Sequence, residues 1–304
     1  MLSTLKKKLT RLMGKAYRSY VKRRHIAGLM NSVPRDAVIL EIGGGYNPRY
    51  LKATHSQVHH LDHASTEDLR AKYALDPLVR RFIDRIQPID FVFDGRPLEL
   101  LVPPTLRFDL IYGSHTLEHQ VDLVRHLQSL EALLQPGGRI IEMIPDLRTT
   151  FDALRFPTVT SDAVLAYGQP AAVHCGKQIF DALSREIDKN HGYPMCDADL
   201  DGVRFVHSLE EAHAAMQAAS IAGQPYADVH AWAFTPESFR LLMVELRLLR
   251  LTGLTATFVS STYGNQFCAV LEHAPREGSE NLSSATRQTL ERERFALSRS
   301  LRLA

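Results

Sequence analysis

The sequence predicts an α/β fold in which a parallel sheet is covered by helices on both faces. Three observations predict it. Short apolar runs alternate with helical stretches along the first half of the chain. Carboxylates, glycines and histidines cluster just past the ends of those runs, where open parallel sheets bind ligands. The segment "QPGG", Gln135–Gly138, stops a helix and returns the chain to a strand.

Taken in order, the apolar runs place strands at Val38–Ile42, at Val58–Leu61 ending on Asp62, at Ile89–Phe93 ending on Asp94, at Phe108–Tyr112 and at Arg139–Ile144. Helices are expected over Thr66–Ala74 and Val121–Leu134, the second with Leu123, Leu127, Leu130 and Leu134 on one face. Residues 145–232 read differently: helical over Lys177–Ile187 and Ser208–Ala222, broken by "NHGYP" and rich in His and Tyr, a candidate lid over the strand ends. "FTPESF" opens a further helix with Thr235 as N-cap and Pro236 at its first position. Two strands flanking Tyr263–Asn265 then form a closing hairpin, and the tail from Pro275 is polar with one amphipathic helix. The expected organisation is an arm over 1–35, a core over 36–146, a helical insertion over 147–232, a return to the core over 233–274 and a tail over 275–304.

Charge is uneven. Ten of the 36 Lys and Arg fall in residues 1–35, which hold no acid, leaving 26 basic against 34 acidic residues in the body. Apolar residues at helical spacing (Leu5, Leu9, Leu12, Met13, Ala16, Tyr20, Val21) make the arm a packed first helix, an arm on nucleic acid, or a peripheral contact with anionic membrane through residues 1–25. The acidic body argues against a nucleic-acid acceptor. Three widely spaced cysteines form no disulfide framework, no apolar run is long enough to span a bilayer, and no signal peptide is recognisable, so a cytoplasmic location is expected.

The stretch "VILEIGGGYNP" decides the chemistry. Gly43, Gly44 and Gly45 directly after a strand let a ligand approach the backbone. Neither the Rossmann dinucleotide spacing nor the Lys-Ser/Thr of a phosphate loop follows them, which disfavours a diphosphate ligand. A nucleoside carrying a charged amino-acid tail fits better. Glu41 and the loop amides would address the tail, Asp62 the ribose hydroxyls and Asp94 an adenine amino group.

The ordered segments "VILEIGGGYNP", "VHHLDHA", "IDFVFDG", "FDLIYGSHTLEHQVD" and "LLQPGGRIIEMIPD" resemble the class I S-adenosylmethionine-dependent methyltransferases over residues 36–146. The resemblance implies a doubly wound, Rossmann-like sheet of seven strands with the last antiparallel, and S-adenosyl-L-methionine as cofactor. It also implies that Glu41, Gly43, Gly44, Gly45, Asp62 and Asp94 line the cofactor site, with Ser114 and Leu117 beneath the sulfonium. Asn47-Pro48 stands where many members carry another glycine. "MIPDLRTTFD" and "HAWAFTPESF" resemble a bacterial subgroup that modifies sugars or glycans.

Methyl transfer to a hydroxyl needs an aligned acceptor and a proton acceptor, for which His115 and His119 of "SHTLEH" are the candidates. Arg148, Tyr167, His174, His191, Tyr193, His230 and Trp232 are the candidate acceptor contacts, because aromatic faces and imidazoles suit a polar ring. No metal site is expected, since the His-x-x-x-His pair shows no further ligand nearby in sequence. The expected activity is O-methylation of a small molecule or glycan. The alternatives are N-methylation, a lipid-linked acceptor, or a noncatalytic module of the same fold. Oligomeric state is not legible.

Overall fold

The structure, a computed structural model, describes residues 24–169, 171–189, 202–219, 226–274 and 284–302. Its centre is a seven-stranded sheet built from β1 (Val38–Ile42), β2 (Gln57–Asp62), β3 (Phe91–Val92), β4 (Phe108–Ser114), β5 (Leu134–Pro145), β8 (Leu254–Val259) and β9 (Gln266–His273), in the order β3-β2-β1-β4-β5-β9-β8. β1 to β5 run parallel, and β9 is antiparallel to both β5 and β8. The seven strands and the antiparallel last strand are those expected. The hairpin does not simply add to the edge: β9 inserts between β5 and β8, leaving β8 outermost.

Strand periodicity explains the two-sided core. In β1, Leu40 and Ile42 face one side and Ile39 the other; in β5, Ile140 and Ile144 oppose Ile141 and Met143. One face is covered by α3 (Leu123–Leu133) and α7 (Pro236–Leu248), the other by α1 (residues 24–31), whose Ile26 and Met30 are buried. Both helices on the first face begin where the sequence places caps. The Asp122 carboxylate accepts the Arg125 amide at 2.9 Å, and the Thr235 hydroxyl accepts the Ser238 amide at 3.1 Å ahead of Pro236. α2 (Thr66–Ala74) follows β2, capped by Ser65, and α8 (Ser284–Arg302) lies along α7, where Arg294 pairs with Glu245 at 2.8 Å.

The insertion contains α4 (Thr160–Gly168), α5 (Gly176–Leu183) and α6 (Leu209–Ala218), and also a two-stranded antiparallel sheet, β6 (Ile187–Lys189) with β7 (Val203–Phe205). The helix expected to continue to Ile187 therefore ends at Leu183, because Ile187 buries its side chain in an extended segment whose amide donates to Phe151 O. Residues 1–23, which hold most of the basic arm, and His191, Tyr193 and Cys196 lie outside the described residues. No helix among the described residues is long and apolar enough to cross a membrane.

Candidate active site

The site is built on the C-terminal tips of β1, β2 and β4, brought side by side by the parallel pairing. Past β1 the chain turns on Gly43 (φ 68°) and Gly45 (φ 47°), both in the left-handed region that side chains avoid. Space is short as well: a Cβ on Gly43 would stand 2.3 Å from the Thr116 methyl, and one on Gly45 would stand 3.1 Å from the Tyr73 hydroxyl. Gly44 does not adopt a left-handed φ. Gly43→Ala should therefore destabilise by about 1–2 kcal/mol from its backbone alone, with the clash added. Thr116→Ser removes the clashing methyl. Chemical denaturation should show the double variant recovering the clash but not the backbone cost; full recovery, or none, would contradict this geometry.

Glu41 is buried, and its Oε1 and Oε2 accept the amides of Arg49 at 2.7 Å and Tyr50 at 2.8 Å. Burial pushes its pKa up to about 7 against the pull of those amides and Arg49. Its oxygens thus pin the far end of the glycine turn, which shapes the loop that a ligand would meet. Asp62, at the tip of β2, is also buried. Its Oδ2 accepts the Gly45 amide at 3.2 Å, and its Oδ1 accepts the His63 amide at 2.8 Å and meets His63 Nδ1 at 2.7 Å. Asp94 sits beyond β3 on an exposed turn with Gly95 (φ 91°) and pairs with Arg96 at 2.7 Å. The Arg96 hydrogen bonds hold its carboxyl below the usual range. Ser114 ends β4, and Leu117 points into the core.

The chain after β4 carries the titratable groups. His115 has φ 54°, strained for a non-glycine residue, and is held there by its amide on Met143 O at 2.9 Å. Gln266 Oε1 lies 2.8 Å from His115 Nε2. An amide oxygen only accepts, so Nε2 carries the proton and Nδ1 the lone pair. That Nδ1 faces the buried Glu118, 3.5 Å from Oε1. His119 Nδ1 lies 3.1 Å from Asp228 Oδ1. Burial pulls the His119 pKa down, but Asp228 and Glu118 outweigh it and the net shift is upward. His119 is thus brought to the same place as His115.

Of the candidate acceptor contacts among the described residues, His230 alone joins this group. Its Nδ1 meets Asp152 Oδ2 at 2.6 Å, and the buried Arg155 donates to Asp152 Oδ1 at 2.7 Å and to His230 O at 2.7 Å. His174 is buried one layer out, between Ala227 O at 2.8 Å and His119 O at 2.9 Å, and so braces the His119 backbone. Trp232 is buried in the core with its indole N–H on Gln120 O, and its amide donates to Glu118 O at 3.1 Å. Arg148 grips Asp146 (2.6 Å) beside Thr262 and Glu237. Tyr167 lies away from the site, on α4 under Arg125 and against α3. A cleft of about 420 Å³ between α4, α5 and Ala231–Trp232 borders Arg155; none of its lining residues comes from the glycine turn.

No family model matches the chain, and no curated protein matches it. Among solved structures it is similar to the DhpI–SAH complex, at 13% identity over 87% of each chain with a TM-score of 0.40. It is similar also to the CcbJ methyltransferase from Streptomyces caelestis, at 14% identity over 78% of this chain and 89% of that one, TM-score 0.37. The glycopeptide N-methyltransferase MtfA shares 12% identity over 84% of this chain and 90% of its own, TM-score 0.40. Likenesses this distant carry no function across.

Sequence reasoning did not find Asp152, Asp228, Arg155 or Gln266. Each acts on a residue that is 78 to 151 positions away in the chain or, for Arg155, through Asp152, so no spacing signal exists. Glu118 stood in the "SHTLEH" motif, yet its burial is a property of the fold alone.

Proposed function

We propose that the chain is an S-adenosylmethionine-dependent methyltransferase acting on a hydroxyl of a small polar acceptor of the sugar or glycan class. One observation carries the reading. Two left-handed glycines abut the buried carboxylate of Asp62 at the tips of adjacent parallel strands, beside an imidazole whose tautomer is set by a distant glutamine. That arrangement fits a nucleoside with an amino-acid tail. The glycine turn lets the tail lie against bare backbone, and Asp62 Oδ2, which accepts only the Gly45 amide, has acceptor capacity left for a ribose hydroxyl.

When bound, the sulfonium supplies an electrophilic methyl group and departs as a neutral thioether. The residues of the chain do the rest. Glu41 holds the loop in shape, Asp62 and the Gly45 amide fix the nucleoside, and Thr116 seats the turn against the β4 tip. His115 offers Nδ1 to take the acceptor proton, and Gln266 prevents the ring from flipping to the other tautomer. The subgroup resemblance supports a polar acceptor of the sugar or glycan class.

Incubation with methyl-labelled cofactor and a panel of monosaccharides, nucleotide sugars and amines tests the reading. Label on a hydroxyl is expected. Label confined to amines, or bound cofactor with no transfer to anything, would contradict it. His115→Asn, which tolerates the left-handed backbone, should lower turnover by about 10²–10⁴-fold while cofactor affinity stays unchanged; unaltered turnover would remove His115 from the chemistry.

A further inference from the structure

Glu118 presents a problem that the methyl-transfer reading does not resolve. It is fully buried, and both of its carboxylate oxygens lack a hydrogen-bond partner. A buried carboxylate without partners is costly, and a native site normally supplies some compensation. What faces it instead is imidazole nitrogen. His115 Nδ1 lies 3.5 Å, His230 Nε2 3.8 Å and His119 Nε2 3.9 Å from Glu118 Oε1, and the donor atoms of Glu118, His119 and His230 all fall within 4.8 Å of one another.

The outer nitrogen of each of the His119 and His230 rings faces a carboxylate. Asp228 stands 3.1 Å from His119 Nδ1, and Asp152 stands 2.6 Å from His230 Nδ1. A carboxylate accepts, so the His230 ring keeps its proton on Nδ1 and directs its Nε2 lone pair inward to Glu118, and His119 turns its Nε2 to the same Glu118 carboxylate. Imidazole nitrogens and a buried carboxylate oxygen thus converge on one small space. Such a convergence repels itself unless an electrophile lies between. Carboxylate on the outer nitrogen and lone pair on the inner one is how metal-bound histidines are oriented.

We propose that Glu118, His119 and His230 hold one divalent transition-metal ion of the zinc, cobalt or iron(II) class. Two imidazoles and one carboxylate suit such ions and leave positions open, whereas calcium and magnesium prefer all-oxygen sets. Donors at about 2.0–2.2 Å from a common ion lie roughly 3–3.6 Å apart, so spacings that all fall within 4.8 Å need to close by at most about 1–2 Å. Asp152, locked by Arg155, and Asp228 are the positioning residues. The role of the ion rests on the methyltransferase reading. An acceptor hydroxyl taken into an open position would lose its proton more readily, to His115 Nδ1. The oxygen then forms its bond to the methyl carbon as the carbon–sulfur bond breaks, with the electron pair left on sulfur.

The test uses the full chain, stripped with chelator, checked for native circular dichroism, and titrated with Co²⁺ alone. Visible d–d bands saturating at one ion per chain are expected, with Zn²⁺ displacing the cobalt at the same stoichiometry by metal analysis. Glu118→Gln and His230→Ala should abolish the bands, and Asp152→Asn should weaken binding by about 10–100-fold while the fold persists. Asp62→Ala should keep the full cobalt spectrum even as it loses the cofactor, so failure of the metal site and failure of the cofactor reading are separable. Absence of stoichiometric cobalt in the folded wild type, or the same spectrum from Glu118→Gln, would overturn the proposal.

Discussion

Glu142→Gln is expected to stabilise the chelated protein increasingly as pH rises from about 4.5, with the gain complete above pH 8. Glu142 sits in the middle of β5, fully buried, with neither oxygen hydrogen-bonded. It fits only because its cross-strand neighbours are Gly113 and Ala269; a Cβ on Gly113 would stand 2.3 Å from Oε2. Burial, with a smaller push from Glu118, raises its pKa from 4.5 to about 8. Between those values the unfolded chain releases a proton that the folded chain retains. Stability then falls by about 1.4 kcal/mol per pH unit for this group, and the loss is complete above the folded value. Glu41 adds a loss of the same sign between 4.5 and about 7.

The buried imidazoles act in the opposite sense. Burial lowers His60 and His126 from 6.5 to about 4. As pH falls through that window the unfolded chain takes up protons that the folded chain refuses, so stability is lost toward acid. The two effects oppose each other between about pH 4.5 and 6.5, which predicts a plateau there and an alkaline decline dominated by the glutamates. Urea midpoints at pH 5, 6.5 and 8.5 check this. Wild type should weaken between the last two, and Glu142→Gln should weaken distinctly less. Parallel curves for the two proteins would mean that Glu142 is already ionised in the native state at neutral pH.

Asp62→Ala should weaken S-adenosylmethionine binding by about 1–3 kcal/mol, the worth of hydrogen bonds to a charged group, or roughly fivefold to 150-fold. The carboxylate has two tasks. It holds the Gly45 amide and His63 in place, and on the reading proposed here it receives the ribose hydroxyls. Asp62→Asn separates them, since an amide of the same shape keeps one acceptor oxygen but turns a donor toward the second partner. An intermediate loss is expected for Asn. Equal affinity in wild type and both variants would take Asp62 out of the binding site.

Much of this architecture is legible in the sequence because it is local. Strand runs, the Thr235-Pro236 cap and the stop at Gln135–Gly138 each depend on neighbouring residues. So does the glycine turn, whose backbone demand is written in the residue type. The acid at the tip of β2 follows from knowing where the strand ends. Contacts made across the fold were not legible. His230 was singled out as an acceptor contact on its residue type, but its Asp152 partner is 78 positions away and depends on how the insertion folds back. Tyr167 was selected on the same grounds, and the packing of α4 on α3 turns it elsewhere. Reading "SHTLEH" as His-x-x-x-His drew attention to His115 and His119 as a pair. In the fold, His119 converges instead with His230, and the glutamate between the motif histidines is the buried centre. Asp94 read as a strand-tip ligand is, in the fold, an exposed partner of Arg96.

The central claim is that the glycine turn and Asp62 receive a sulfonium nucleoside. Isothermal titration of the purified full chain with S-adenosylmethionine, S-adenosylhomocysteine and NADH tests it most directly. Saturable one-site binding of the first two and none of NADH is the predicted result. Binding of NADH alone, or of none of the three by a folded protein, would contradict it.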